Sequence, residues 1–130
     1  METIAIGAEP AGHGAFVSGL ERTLIDAASR PDLVGGYFPL AEALIACDPD
    51  PARLTTLAGE LGASAALRRI GSLADQLKLE GLTGKLRPHK PPTSDLDLDP
   101  GLKEPAPFRD TDWWMRWPVQ PKALAAELAQ

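Results

Sequence analysis

The chain has 130 residues, a formal net charge of −5 and an apolar content of 44%, of which aromatic residues form a small part. This length is that of one domain, and it is long enough to bury a mainly aliphatic core. The acidic balance argues against a stand-alone nucleic-acid-binding module, which normally carries a positive footprint. The single cysteine, Cys47, excludes an internal disulfide, and its apolar neighbours predict a buried thiol. The sequence shows no leader and no apolar run of membrane-spanning length, so we expect a cytoplasmic protein.

Two short strands are predicted in the first 17 residues. The runs 3–6 and 15–17 are apolar and partly β-branched. The loop 7–14 between them is rich in glycine and contains His13, but it lacks the lysine and the residue order of a phosphate-binding loop. A surface turn is therefore favoured over a nucleotide site.

The first predicted helix begins at Ser18. Ser18 and Glu21 have the spacing of a capping box, in which the serine oxygen accepts a hydrogen bond from the Glu21 amide. Leu20 and Leu24 share the apolar face of this helix. Pro31 ends it, because the residue before a proline avoids the α region.

A second helix is predicted from Pro39, a residue suited to a first helical turn, through about Cys47. Leu40, Leu44 and Ile45 are expected on its buried side.

Two further helices have clear start and stop signals. The third is capped by Asp50, has Pro51 at its first position and stops at Gly62. The fourth runs from Ser64 to Gly81. Its expected apolar stripe consists of Leu67, Ile70, Ala74 and Leu77, with Leu73 beside it.

The composition changes after Gly84. Residues 85–92 are basic and proline-rich, which predicts an extended linker. Residues 95–99 alternate between aspartate and leucine, which predicts a half-buried strand with the leucines inward. Residues 112–119 form a second strand candidate, and Pro121 begins a short final helix. One face of that second strand holds Trp113, Met115 and Trp117.

These elements predict a single α+β domain over residues 1–130, with four to five helices and a small sheet built from N-terminal and C-terminal strands. Its parts are the N-terminal strands over 1–17, the helical part over 18–84, the linker over 85–92, and the strands and final helix over 93–130.

Calcium binding by the aspartate run is rejected. Asp95, Asp97 and Asp99 have the spacing of the first half of a calcium loop, but Pro100 stands where glycine is needed and Ala106 where the final carboxylate is needed. The alternating leucines are explained by a strand and not by a calcium loop.

No catalytic, cofactor or metal site is predicted. His13 and His89 are the two histidines and lie far apart in the sequence, so they suggest no metal ligand set. Asp110 and Asp112 have no neighbouring base, which favours a solvated turn over a catalytic pair. The expected chemistry is therefore that of a macromolecular contact.

The tryptophans near the C-terminus allow two interpretations. Trp113, Trp114 and Trp117 lie near two arginines and could stack on nucleic-acid bases, but core and sheet packing is favoured in so acidic a chain. The candidate interaction surface consists of Lys85, Arg87, His89, Lys90, Arg109 and Arg116. A nucleic-acid-binding module using residues 85–90, and a small ligand-binding protein using the loop 7–14, remain alternative functions.

Three segments, in order, resemble the C-terminal domain of the abortive-infection antitoxins of type IV toxin–antitoxin systems, the AbiEi family. The segments are VSGLERTLIDA at 17–27 with RP at 30–31 and GG at 35–36, LG at 61–62 with AALRRIG at 65–71, and LDP at 98–100 with 114–119. The core ERTLIDA is the most specific of them.

The resemblance implies a non-enzymatic bacterial regulator. In such proteins an N-terminal winged helix binds and represses the operator of its own operon. The C-terminal domain neutralises a nucleotidyltransferase toxin, usually without a stable complex. About 17 residues precede the first segment, too few for a winged helix, so we expect this chain to bind its operator weakly if at all.

Overall fold

The structure is a computed structural model that describes residues 8–10, 16–87, 92–101 and 106–130. Its α-helices are α1 (Leu20–Ser29), α2 (Tyr37–Ala46), α3 (Pro51–Leu61), α4 (Ser64–Gln76) and α5 (Pro121–Leu128), with a 3-10 helix (Pro31–Val34) between α1 and α2. Its strands are β1 (Ala8–Pro10), β2 (Phe16–Ser18), β3 (Leu96–Asp97), β4 (Phe108–Asp110) and β5 (Met115–Trp117). The predicted α+β class is confirmed.

The strands of the two chain ends form separate sheets, whereas a common sheet was predicted. β1 and β2 make an antiparallel hairpin, and the C-terminal strands make a three-stranded sheet in the order β3-β5-β4. β5 is parallel to β3 and antiparallel to β4. Both neighbours of the central strand β5 therefore come from the C-terminal part of the chain, and neither is an N-terminal strand. The predicted strand 3–6 and the loop with His13 lie outside the described residues.

The predicted capping box is wrong. Ser18 belongs to β2, and the N-cap of α1 is Gly19, without a side-chain cap. The Glu21 carboxylate is used elsewhere: it accepts a hydrogen bond of 2.8 Å from the Asp50 amide and lies 3.4 Å from the Arg53 guanidinium. Glu21 therefore places a negative charge at the N-terminal end of α3, where the helix dipole favours it.

The signals predicted for α3 are confirmed. The Asp50 side chain accepts a hydrogen bond from the Ala52 amide, and Pro51 is the first helical residue. Gly62 ends the helix in a left-handed conformation with φ of 64°.

Some predicted side-chain positions differ from the structure. Ile45 is 48% exposed because the buried stripe of α2 runs through Leu40, Ala41 and Leu44. Cys47 follows the last turn of α2 and is half-buried instead of fully buried. Leu20, in the first turn of α1, is also partly exposed.

Helix α4 ends at Gln76 and not at Gly81 as predicted. Lys78 adopts a left-handed φ of 57°, which takes the backbone out of the helix. The turn that follows is held by the Thr83 hydroxyl, which donates a hydrogen bond to the Ala74 carbonyl.

The core lies between α4, the other helices and the inner face of the three-stranded sheet. The predicted core residues Leu24 and Ile70 are buried. Trp113, Met115 and Trp117 are buried together, as predicted. Their burial confirms packing as the role of two of the three tryptophans. The predicted strand 112–119 is shorter in the structure, since β5 spans only Met115–Trp117 and Trp113 lies in the turn before it.

Trp113 packs against the backbone of α4 at Gly71. The indole of Trp113 occupies the space that a Cβ atom at Gly71 would need. The Trp113 indole N–H then donates a hydrogen bond of 2.7 Å to Asp75, one turn further along α4. Glycine at this position therefore lets a large ring contact the helix backbone.

We expect Gly71→Ala to destabilise the fold by about 1–3 kcal/mol, because the added methyl group overlaps the Trp113 ring. The loss should appear although alanine intrinsically favours a helix by about 1 kcal/mol over glycine. Chemical denaturation measures the change. Gly59→Ala, at an exposed position of α3, is the matched control and should be neutral or stabilising; equal effects of the two substitutions would contradict the packing argument.

We expect Glu21→Gln to lower the free energy of unfolding by about 1.5–3 kcal/mol, since a buried charge-assisted contact to α3 is lost. The exposed Glu60, on α3 itself, offers the control Glu60→Gln, for which a change within about 0.5 kcal/mol is expected. Thermal or urea melts of both variants are the measurement. An unchanged midpoint for Glu21→Gln would show that Asp50 and Arg53 do not depend on the carboxylate charge.

Candidate interaction surface

Two neighbouring arginines of α4 fix the three-stranded sheet to the helices. The Arg68 guanidinium donates hydrogen bonds to the carbonyls of Ser94, Trp113 and Trp114 at 2.8–3.2 Å. Because these acceptors lie just before β3 and in the β4–β5 turn, Arg68 sets the position of both segments.

Arg69 makes the corresponding contacts on the other side of α4 and is itself buried. It donates to the carbonyls of Ala28 and Ser29 at 2.8 and 3.2 Å and to the Asp97 carbonyl at 3.0 Å. The first two are carbonyls of the last turn of α1, which lack partners within their own helix. Burial lowers the pKa of the Arg69 guanidinium from its ordinary value, and nearby carboxylates including Asp97 oppose that shift.

Beneath the sheet, buried polar groups are paired with one another. The Trp117 indole N–H donates to the Ser72 hydroxyl at 2.8 Å, and that hydroxyl donates to the Asp110 carboxylate at 2.7 Å. Asp110 also accepts from the Asp112 amide. Ser72 is fully buried, so this serine and carboxylate serve to join α4 to β4 and β5 and cannot meet a substrate.

The opposite side of the sheet is exposed and charged. We call it the outer sheet face and define it by Asp95, Asp97, Arg109, Trp114 and Arg116. The strand register places Asp97, Arg116 and Arg109 side by side across β3, β5 and β4. Arg116 lies 2.8 Å from Asp97, and Arg109 lies 2.8 Å from Asp95. The Arg109 guanidinium also lies over the Trp114 ring, 5.7 Å from its centre.

The structure separates the predicted interaction residues into two places. Arg109 and Arg116 share the outer sheet face, where each is paired with an aspartate. Lys85 and Arg87 are exposed in the segment after α4. Arg87 lines a cleft of about 270 Å³ together with Asp75, Asp112 and Trp113. His89 and Lys90 lie outside the described residues.

Sequence reasoning missed Arg68, Arg69 and the aspartates as parts of one arrangement. Two consecutive arginines in a helix with a strong apolar stripe are themselves a signal, since a buried guanidinium must find several acceptors. Which carbonyls accept the hydrogen bonds depends on tertiary structure and could not be read from spacing.

A second cleft, of about 170 Å³, lies beside Cys47 between the end of α2 and the turn after α4. Within the described ranges, no group of three histidine, cysteine or acidic side chains could hold a metal ion. In the same part of the chain, no helix is long and apolar enough to cross a membrane.

Comparisons with protein-family models, with curated proteins and with solved structures find no match to this chain.

We expect the Asp95–Arg109 pair to contribute to stability at neutral pH and not in acid. The hydrogen bond from Arg109 lowers the pKa of Asp95 below its ordinary value. A carboxyl whose folded pKa is lowered stabilises the fold above its unfolded pKa, about 3.9, and loses that contribution as the pH falls through the folded pKa.

Melting temperatures of the wild type and Asp95→Asn should therefore differ above about pH 5 and converge toward about pH 2. The same substitution made in an Arg109→Gln background is the control, and there the pH-dependent difference should largely vanish. A difference that stays constant from neutral to acidic pH would contradict the pairing.

Proposed function

We propose that this chain is a non-enzymatic regulatory domain of the antitoxin type, from a type IV toxin–antitoxin system. It opposes a nucleotidyltransferase-type toxin, directly or through the pathway on which the toxin acts, and it is normally coupled to repression of its own operon. The observation that carries this proposal is that the three segments resembling the antitoxin family form one packed unit.

That unit is built around α4. The first segment supplies most of α1 and the second supplies about half of α4. Arg69 of the second donates hydrogen bonds to the carbonyls of Ala28 and Ser29, which directly follow residues 17–27 in α1. The third segment supplies the start of the loop after β3 and the strand β5, next to the carbonyls that Arg68 and Arg69 contact. Segments that are distant in sequence thus meet at two adjacent side chains, which supports treating them as parts of one domain.

The distribution of charge supports a protein contact over a nucleic-acid contact. Arg109 and Arg116 are each offset by an aspartate, so the outer sheet face has no net positive charge to attract phosphates. The chain as a whole carries −5, which opposes the approach of a duplex. In this proposal, operator binding belongs to a winged helix and not to the residues described above.

We expect the chain to bind a duplex of its own promoter with a dissociation constant no tighter than about 10⁻⁴–10⁻⁶ M at physiological salt, and without preference over a scrambled duplex. Fluorescence anisotropy at two salt concentrations measures both properties. Tight, sequence-selective binding would overturn the proposal in favour of a nucleic-acid module. In that case, alanine at Lys85, Arg87 and Lys90 would test the basic segment as the contact.

The antitoxin activity is tested by co-expressing the chain with the nucleotidyltransferase of its own operon and measuring growth. We expect growth to recover, and we expect Gly71→Ala, which weakens the fold, to reduce the recovery. Gly59→Ala is the control and should retain it. Toxicity unchanged by the folded wild-type chain, or an operon without such a transferase, would contradict the proposal.

A further inference from the structure

The outer sheet face is open to solvent although it carries residues that usually anchor interfaces. The side chains of Arg109, Arg116 and Asp97 are 45%, 49% and 42% exposed, and the Trp114 indole is half-buried. Tryptophan and arginine are enriched among the residues that contribute most to binding energy at protein interfaces. A solvated sheet face needs charged residues but does not need an aromatic ring beside them.

Trp114 also has an unfavourable backbone conformation. Its φ of 51° lies in the left-handed region, where glycine or asparagine is the usual residue in a hairpin turn. A bulky side chain is disfavoured in that region. The turn conformation does not favour tryptophan at this position, and it places the indole on the outer sheet face beneath Arg109.

The charges on this face are arranged to complement a copy of themselves. Asp97 on β3 and Arg116 on β5 are neighbours at the same register. A two-fold axis that runs parallel to the strands, midway between β3 and β5, would lay Arg116 of one copy over Asp97 of the other and Asp97 over Arg116. The two ion pairs within the copies would become a ring of four alternating charges.

Other classes of partner fit this face less well. A nucleic acid would meet Asp95 and Asp97 as well as the arginines, and an acidic or basic peptide would meet as many repelling charges as attracting ones. A second copy presents both signs in the complementary order. Isologous contacts of this type, in which one patch meets itself, are the commonest form of protein self-association.

We propose that the outer sheet face is the surface through which two copies of this chain associate, with Arg116 and Asp97 pairing across the two-fold axis and Trp114 packed at its side. This inference goes beyond the proposed function and does not depend on it. Because the recognition is largely electrostatic, the association weakens as salt screens the charges.

Sedimentation velocity of the full chain tests the proposal, at protein concentrations from about 10 to about 500 µM and in about 20 and about 500 mM NaCl. We expect the sedimentation coefficient to rise toward that of a dimer with concentration at low salt, and to fall toward that of a monomer at high salt. A wild-type chain that stays monomeric throughout would overturn the proposal.

Charge reversal at the two central residues gives the sharper test. Asp97→Arg presents two arginines at the axis and Arg116→Asp presents two aspartates, so each variant alone should be monomeric. An equimolar mixture should recover the dimer, because each face then meets its complement. Glu60→Arg, on the exposed side of α3, is the control and should leave association unchanged.

Two results would contradict the proposed role of the outer sheet face. Self-association of both reversed variants at the wild-type level would place the contact elsewhere on the molecule. A monomeric wild type whose affinity for a duplex is lost on Arg116→Asp would assign the face to nucleic acid. If circular dichroism shows that a reversed variant is unfolded, Asp97→Asn and Arg116→Gln replace it, and each should reduce the dimer fraction.

Discussion

The buried guanidinium of Arg69 is the interaction on which the rest of the structure depends. A cation taken out of water must be surrounded by acceptors, and Arg69 finds them in the last turn of α1 and at β3. One side chain therefore completes the end of a helix and positions a strand from the other half of the chain. Arg68 does the same for the β4–β5 turn from the adjacent position.

This arrangement explains why α4 is buried on nearly every side. Some of its residues pack against α1 and α3, and others pack against the sheet. Residues of the two kinds are interspersed along the helix. Arg69 contacts both α1 and β3, and Gly71 leaves room for the Trp113 ring. Ser72 accepts a hydrogen bond from the Trp117 indole, and Asp75 accepts one from the Trp113 indole. A helix with an ordinary apolar stripe could not have made both contacts.

The sequence predicted those elements whose signals are local. Helix α3 begins and ends as expected, at Asp50, Pro51 and Gly62, because capping and stop signals act within a few residues. The buried positions of β5, Met115 and Trp117, followed from the alternation in this segment, although the strand is shorter than predicted. The capping box failed because Glu21 has a partner, Asp50, that is near only in the folded chain.

Strand β4 and the outer sheet face could not be predicted for the same reason. Arg109 and Arg116 were recognised as charged positions, but their aspartate partners are on another strand, and register is a tertiary property. Trp114 was grouped with its two neighbouring tryptophans, although its indole lies against Arg109 on the outer sheet face while theirs are buried.

The contact between Trp113 and Gly71 determines how the protein responds to cleavage of its backbone. The change of composition near residue 85 is typical of a domain boundary. The Trp113 ring that packs against α4, however, lies on the C-terminal side of it. A protease cut in that segment would leave two fragments that share one hydrophobic core. The N-terminal fragment alone would expose the α4 backbone at Gly71, and the C-terminal fragment alone would expose the indoles of Trp113 and Trp117. The two pieces would therefore be expected to remain together as a non-covalent complex, and to melt in one cooperative transition, for as long as either keeps its native shape.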